Sequence, residues 1–279
     1  MRLSLLLVTS LAMAGCNAPA RSPEASAAST PLAATAAAYV AATPVVIPGD
    51  PVEGLRVATR VGCLGCHGED GGGTELWGEP GKFKVYSANL SETRKNYDDA
   101  GIESLLRKGR THDGHRPLGM PVFMFEHLSD REVRDITAWL RSIPAVANPG
   151  LKKTWLSDEV KKQLDDGTYP YDDDQPTPGM VPPDVPPTDP IALGKHLAYT
   201  SCTECHGRDL NGWSTDDPTP SLIVAKAYTS ETFSRLMKTG IAANGKETKT
   251  GFMSSVARGR LAILTDAEID ALKRYLDSR

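Results

Sequence analysis

One five-residue pattern occurs twice and constrains this chain more than anything else in it. Cys63-Leu-Gly-Cys66-His67 returns as Cys202-Thr-Glu-Cys205-His206, each copy followed by a glycine. The repeat extends outward at matching offsets. Asp50-Pro51 pairs with Asp189-Pro190. Asp is a good N-cap and Pro suits the first helical position, so a helix is predicted to start at each and run into the cysteine motif. Downstream, Leu128-Ser-Asp-Arg-Glu-Val133 pairs with Leu264-Thr-Asp-Ala-Glu-Ile269. Both carry a capping box, Ser129 with Glu132 and Thr265 with Glu268, ahead of an apolar periodic segment. Those last helices place an aromatic, Trp139 or Tyr275, at matching positions. Each module therefore reads as a helix, the cysteine motif, a long polar loop region and a capped helix. Extended alternating runs are scarce, so few strands are expected in the two tandem modules, 51–147 and 190–279.

The remaining segments carry little that could form a core. Residues 148–189 read as a linker rich in Pro and Asp, with a short helix predicted around Ser157 to Asp166 and a stiff, polyproline-like stretch after Pro170. Residues 16–50 are rich in Ala, Ser, Pro and Thr and read as a flexible tether. Residues 1–15 hold Arg2 and then an apolar run shorter than the roughly 20 residues that span a bilayer. They are predicted to be a signal peptide for export. The run ends Leu11-Ala-Met-Ala-Gly-Cys16, which resembles the lipobox of bacterial lipoproteins. That resemblance implies lipidation at Cys16 and attachment to the periplasmic side of a bacterial membrane. It also accounts for the odd number among the 5 cysteines. With 31 Lys and Arg against 35 Asp and Glu, the chain has no basic excess for nucleic acid.

Cys-x-x-Cys-His is the attachment pattern of c-type haem, and the reason is geometric. Two cysteines three residues apart share one helical face, where each can form a thioether to the macrocycle. The histidine at the next position then points at the iron. Other readings fit less. One zinc ion would need both pairs to converge and would leave both histidines unused. A thioredoxin-like site needs a βαβ context, and two disulfides leave the repeat unexplained.

Each module resembles class I cytochrome c, and the mature chain resembles a bacterial dihaem cytochrome c. The resemblance implies two covalently bound haem c groups, held by Cys63, Cys66 and His67 and by Cys202, Cys205 and His206. It implies an all-α fold of two tandem cytochrome c domains with crossed first and last helices, a glycine of one against an aromatic of the other. Gly194 and Tyr275 fit that contact, while Gly54 with Trp139 stands one residue out of register. Met120-Pro121, ahead of Leu128-Ser-Asp, resembles the family's Met-ligand run, so Met120 is the expected sixth ligand of the first iron. Met124, His112, His115 and His127 are its competitors. Met253 is expected for the second iron, although Ser replaces the usual Pro after it. Met237 fits the apolar face of a helix better.

Two Met ligands would close both irons, which raises potentials and leaves no vacant site. The expected function is electron transfer between redox proteins: a dehydrogenase, an oxidase or another cytochrome. The alternative is a dihaem peroxidase or sulfur-compound oxidoreductase with one open haem. Ser87-Ala-Asn-Leu90 and Pro220-Ser-Leu222 stand where family members run along the haem edge. Trp77, Tyr86 and Trp213 are either propionate contacts or packing. Arg258 and Arg260 form a basic spot near Met253, either a docking patch or a solvated face.

Overall fold

The structure, a computed structural model, describes residues 48–169, 176–214 and 218–279. The apolar leader, Cys16 and the tether up to residue 47 lie outside the described residues, as does the stretch 170–175 of the linker. Asp50 caps α1 (Pro51–Arg60) by accepting from the amides of Val52 and Glu53. The cysteine motif forms a separate turn, α2 (Cys63–His67), rather than the end of α1. Gly62 at φ 88° makes the break, a conformation with little cost only for glycine. β1 (Glu75–Glu79) and β2 (Phe83–Tyr86) follow as an antiparallel hairpin. Then come α3 (Leu90–Thr93), α4 (Asp99–Lys108), α5 (Val122–Phe125) and α6 (Asp130–Ser142). In the linker lie β3 (Trp155–Leu156) and α7 (Asp158–Asp165). The second module holds α8 (Pro190–Ser201), α9 (Thr203–His206), α10 (Ser230–Thr239), α11 (Phe252–Val256) and α12 (Asp266–Ser278).

The first and last helices of each module cross at a glycine. A Cβ on Gly54 would lie 1.9 Å from the Asp135 carbonyl oxygen and 2.8 Å from Trp139 Cβ. On Gly194 it would lie 2.0 Å from the Ala271 carbonyl oxygen and 2.7 Å from Tyr275 Cβ. The two crossings are equivalent, so the register mismatch at Gly54 has no consequence for packing. The extra residue is taken up between Arg60 and Cys63, where Gly62 turns left-handed. Both predicted capping boxes form, at Ser129 with Glu132 and at Thr265 with Glu268. Around each crossing sits one apolar core, with Val57, Leu128 and Ile136 in the first and Leu197, Leu264 and Leu272 in the second.

Two expectations need correction. The fold is mainly α but not all-α, since β1, β2 and β3 make a three-stranded antiparallel sheet. Its strands are 5, 4 and 2 residues long. Gly78 and two glutamates fill much of β1, and such residues are poor strand formers. Pairing with β2 is what makes β1 extended. The linker, in turn, is not a free spacer where it is described. Lys84 pairs with Trp155, and Ser157 donates its amide to the Lys82 carbonyl. The Pro183 and Asp184 carbonyls accept from the amides of Asp130 and Arg131, both at 2.9 Å. Those are first-turn donors of α6 that the helix itself cannot satisfy. From residue 48 on, both modules and the segment between them form one compact unit. Among the described residues, no helix is long and apolar enough to cross a membrane.

Candidate haem sites

The α2 turn puts Cys63, Cys66 and His67 on the wall of a cavity of about 580 Å³. That volume falls in the range of about 300–1,000 Å³ usual for cofactor sites. Leu106, Phe125, Ile136 and Trp139 supply apolar wall, and Met120 lines the same space. The thiols are free. Burial pushes Cys63 up to about 12, against the pull of the Arg260 charge, and raises Cys66 as well. Among the described residues, no three His, Cys, Asp or Glu side chains converge as a metal site.

His67 is oriented by its backbone surroundings. Its Nδ1 lies 2.8 Å from the Ala88 carbonyl oxygen, which can only accept, so Nδ1 carries the proton. Nε2 then presents its lone pair, the arrangement of a ligating histidine steadied from behind. Burial lowers the pKa of this ring, keeping it neutral, and the bond to Ala88 opposes the shift without reversing it. The second motif repeats the geometry. His206 Nδ1 lies 2.8 Å from the Pro220 carbonyl oxygen, and burial lowers its pKa too. Cys202 and Cys205 are free, pushed by burial to about 12 and about 11. The two acceptor carbonyls come from the segments 87–90 and 220–222 that the sequence singled out.

The methionines divide by burial. Met124 and Met237 are fully buried members of the two cores, 0% and 3% exposed. Met120 and Met253 are half-buried against those cores. Met120 sits in a loop fixed from behind by the Trp77 ring, which lies on Gly119 so closely that a Cβ there would be 2.0 Å from the indole. Met253 sits in α11, anchored by the neighbouring Ser254 hydroxyl, which donates to the Gly240 carbonyl at 2.6 Å. His112 and His115 also line the first cavity. His112 takes an edge-on contact with Tyr97, the ring centroids 5.2 Å apart. His127 is turned away against Tyr199, and burial, with the nearby His196 charge, lowers its pKa to about 4.

What the sequence did not reveal is the surface where the modules meet. Arg60, only 1% exposed, donates to Thr200 at 2.5 Å and Ser201 at 2.8 Å, and pairs with Glu132 at 2.6 Å. The other Glu132 oxygen lies 2.8 Å from His196 Nε2. Trp213 packs against the first core while its indole N–H donates to the Glu204 carbonyl at 3.0 Å. Tyr86, by contrast, lines the first cavity and donates its hydroxyl to Glu75. Arg258 pairs with Glu247 on the surface, but Arg260 is turned inward. The expected basic spot near Met253 therefore does not exist as a pair of free cations.

Two stretches of the chain match known protein families. Residues 191–279 match the family described as cytochrome c. Residues 50–140 match the family described as cytochrome C oxidase, cbb3-type, subunit III. Over 92 residues the chain is 29% identical to the cbb3-type cytochrome c oxidase subunit CcoP of Helicobacter pylori (strain 52). That alignment covers 33% of this chain and 27% of the relative, so the chain spans about a quarter of that protein's length. The chain carries two cytochrome c-type domains, and domains of this type imply covalently bound haem c. The two matched regions together thus point to haem binding and electron transfer.

Proposed function

We propose that the protein is a dihaem electron carrier, with one closed His/Met haem in each domain. In this reading Cys63 and Cys66 attach the first haem, with His67 and Met120 as axial ligands. Cys202 and Cys205 attach the second, with His206 and Met253. The observation that carries it is the same arrangement built twice: two free thiols on one turn, and a histidine whose Nδ1 is tied to a carbonyl so that Nε2 is presented. In the first domain Met120 shares the cavity with that histidine. The haem, when bound, supplies a one-electron couple. The chain's own residues exclude water with an apolar wall, hold both imidazoles neutral and fix their orientation.

The donor and acceptor are redox proteins, and the similarity of residues 50–140 to a cbb3-type oxidase subunit favours a place in or beside an oxidase. The apolar leader and Cys16 support export and a lipid anchor on the periplasmic side. Intact-mass analysis of protein from a host competent in c-type maturation tests the attachment. Two haem additions per chain are expected, with one on each cysteine-motif peptide. Unmodified thiols at either motif would overturn the proposal.

A further inference from the structure

The two attachment turns meet across the domain interface, and one side chain stands between them. Arg260 lies in a π-helical turn, Ala257–Leu261, of the second domain. Its side chain is only 14% exposed. It donates through Nη1 to Glu204 Oε2 at 2.7 Å and through Nε to the Arg60 carbonyl at 3.3 Å. Its guanidinium fills the place a side chain on Gly62 would take, with Cζ 2.5 Å from an ideal Cβ there. Gly62 begins the first cysteine turn, and Glu204 lies between the two cysteines of the second. Glu204 also lines the first cavity beside Cys63 and Cys66. Left-handed Gly62 is what leaves room for the Arg260 guanidinium.

We propose that Arg260, paired with Glu204, is a positioning residue shared by the two haem sites, clamping the cysteine turns together and setting both potentials at once. This rests on the dihaem reading above. A cation near a haem favours the reduced state and an anion the oxidised state, through a medium of low effective dielectric. One ion pair at the junction therefore acts on both couples. A substitution on one domain should move the potential of the other.

The test is spectroelectrochemical titration of the full holoprotein, with haem counted per chain first. Arg260→Gln leaves the Glu204 anion alone and should lower both midpoints. Glu204→Gln leaves the cation and should raise both. Each shift should reach about tenfold in the one-electron reduction equilibrium, which is about 59 mV. The double variant should return close to the starting values. A purely structural clamp would behave differently, because loosening the junction would shift both single variants and the double in the same direction. Same-sign shifts, or shifts confined to one haem, would overturn the proposal. Fewer than two haems per chain in the unmodified protein would refute the dihaem reading instead.

Discussion

Glu132→Gln is the sharpest probe of how the two domains are held. Glu132 sits in the first turn of α6, closes the capping box with Ser129, and faces Arg60 from α1 and His196 from α8. Burial alone would raise its pKa. The bond from His196 and the Arg60 charge outweigh burial and bring it from 4.5 to about 2. A depressed carboxyl pKa stabilises the fold above the unfolded value, and that stability is lost as pH falls from about 4.5 toward 2. At about 1.4 kcal/mol per pH unit the shift is worth about 3 kcal/mol. Glutamine keeps the shape but leaves the Arg60 guanidinium buried without its anion, a loss of about 3–5 kcal/mol for pairs of this kind. Denaturant unfolding of the holoprotein, followed by tryptophan fluorescence at a series of pH values, reads both effects. The variant should be weaker at pH 7 by about 3 kcal/mol and should lack the acid-dependent component between pH 4.5 and 2. A variant within about 1 kcal/mol of the parent at pH 7, or one with the parent's acid slope, would refute the reasoning.

Other changes should have separate signatures. Met120→Ala should leave the second haem unchanged, lower the potential of the first and let it bind carbon monoxide. An unaltered first haem would show that another residue ligates it. Gly54→Ala drives a methyl into the Asp135 carbonyl at the helix crossing. It should cost at least about 1–3 kcal/mol in chemical unfolding, and Gly194→Ala should cost a similar amount. Cys16→Ser should move the exported protein from the membrane fraction to the soluble fraction, and persistence in membranes would refute a lipid at that position.

Most of the candidate site was legible because its parts are local in sequence. Two thiols and an imidazole must share one turn, so Cys63, Cys66 and His67 announce themselves by spacing, as do Cys202, Cys205 and His206. Caps are equally local, and Asp50, Asp189, Ser129 and Thr265 all cap as their sequence contexts predict. The sheet was not legible, because β1 is built largely of poor strand formers and β3 is extended only through a partner distant in sequence, β2. The linker misled for the same reason. Its composition is that of a spacer, while its carbonyls are used by α6. Arg60, His196 and Glu204 carry no signal in isolation, while Glu132 signals only a helix cap and Arg260 only a surface charge. Each is an ordinary polar residue on a helix or turn, and only the docking of one domain on the other makes them a buried network. Arg260 reads as surface charge until Gly62 is seen to make room for it.

The most direct test of the central claim is the visible spectrum of the dithionite-reduced holoprotein, with haem quantified per chain, before and after carbon monoxide. Two haems per chain, both low-spin and both unchanged by the gas, are predicted for two closed His/Met sites. A spectrum in which either haem shifts on adding the gas would contradict it, by showing an open or labile iron where a methionine should stand.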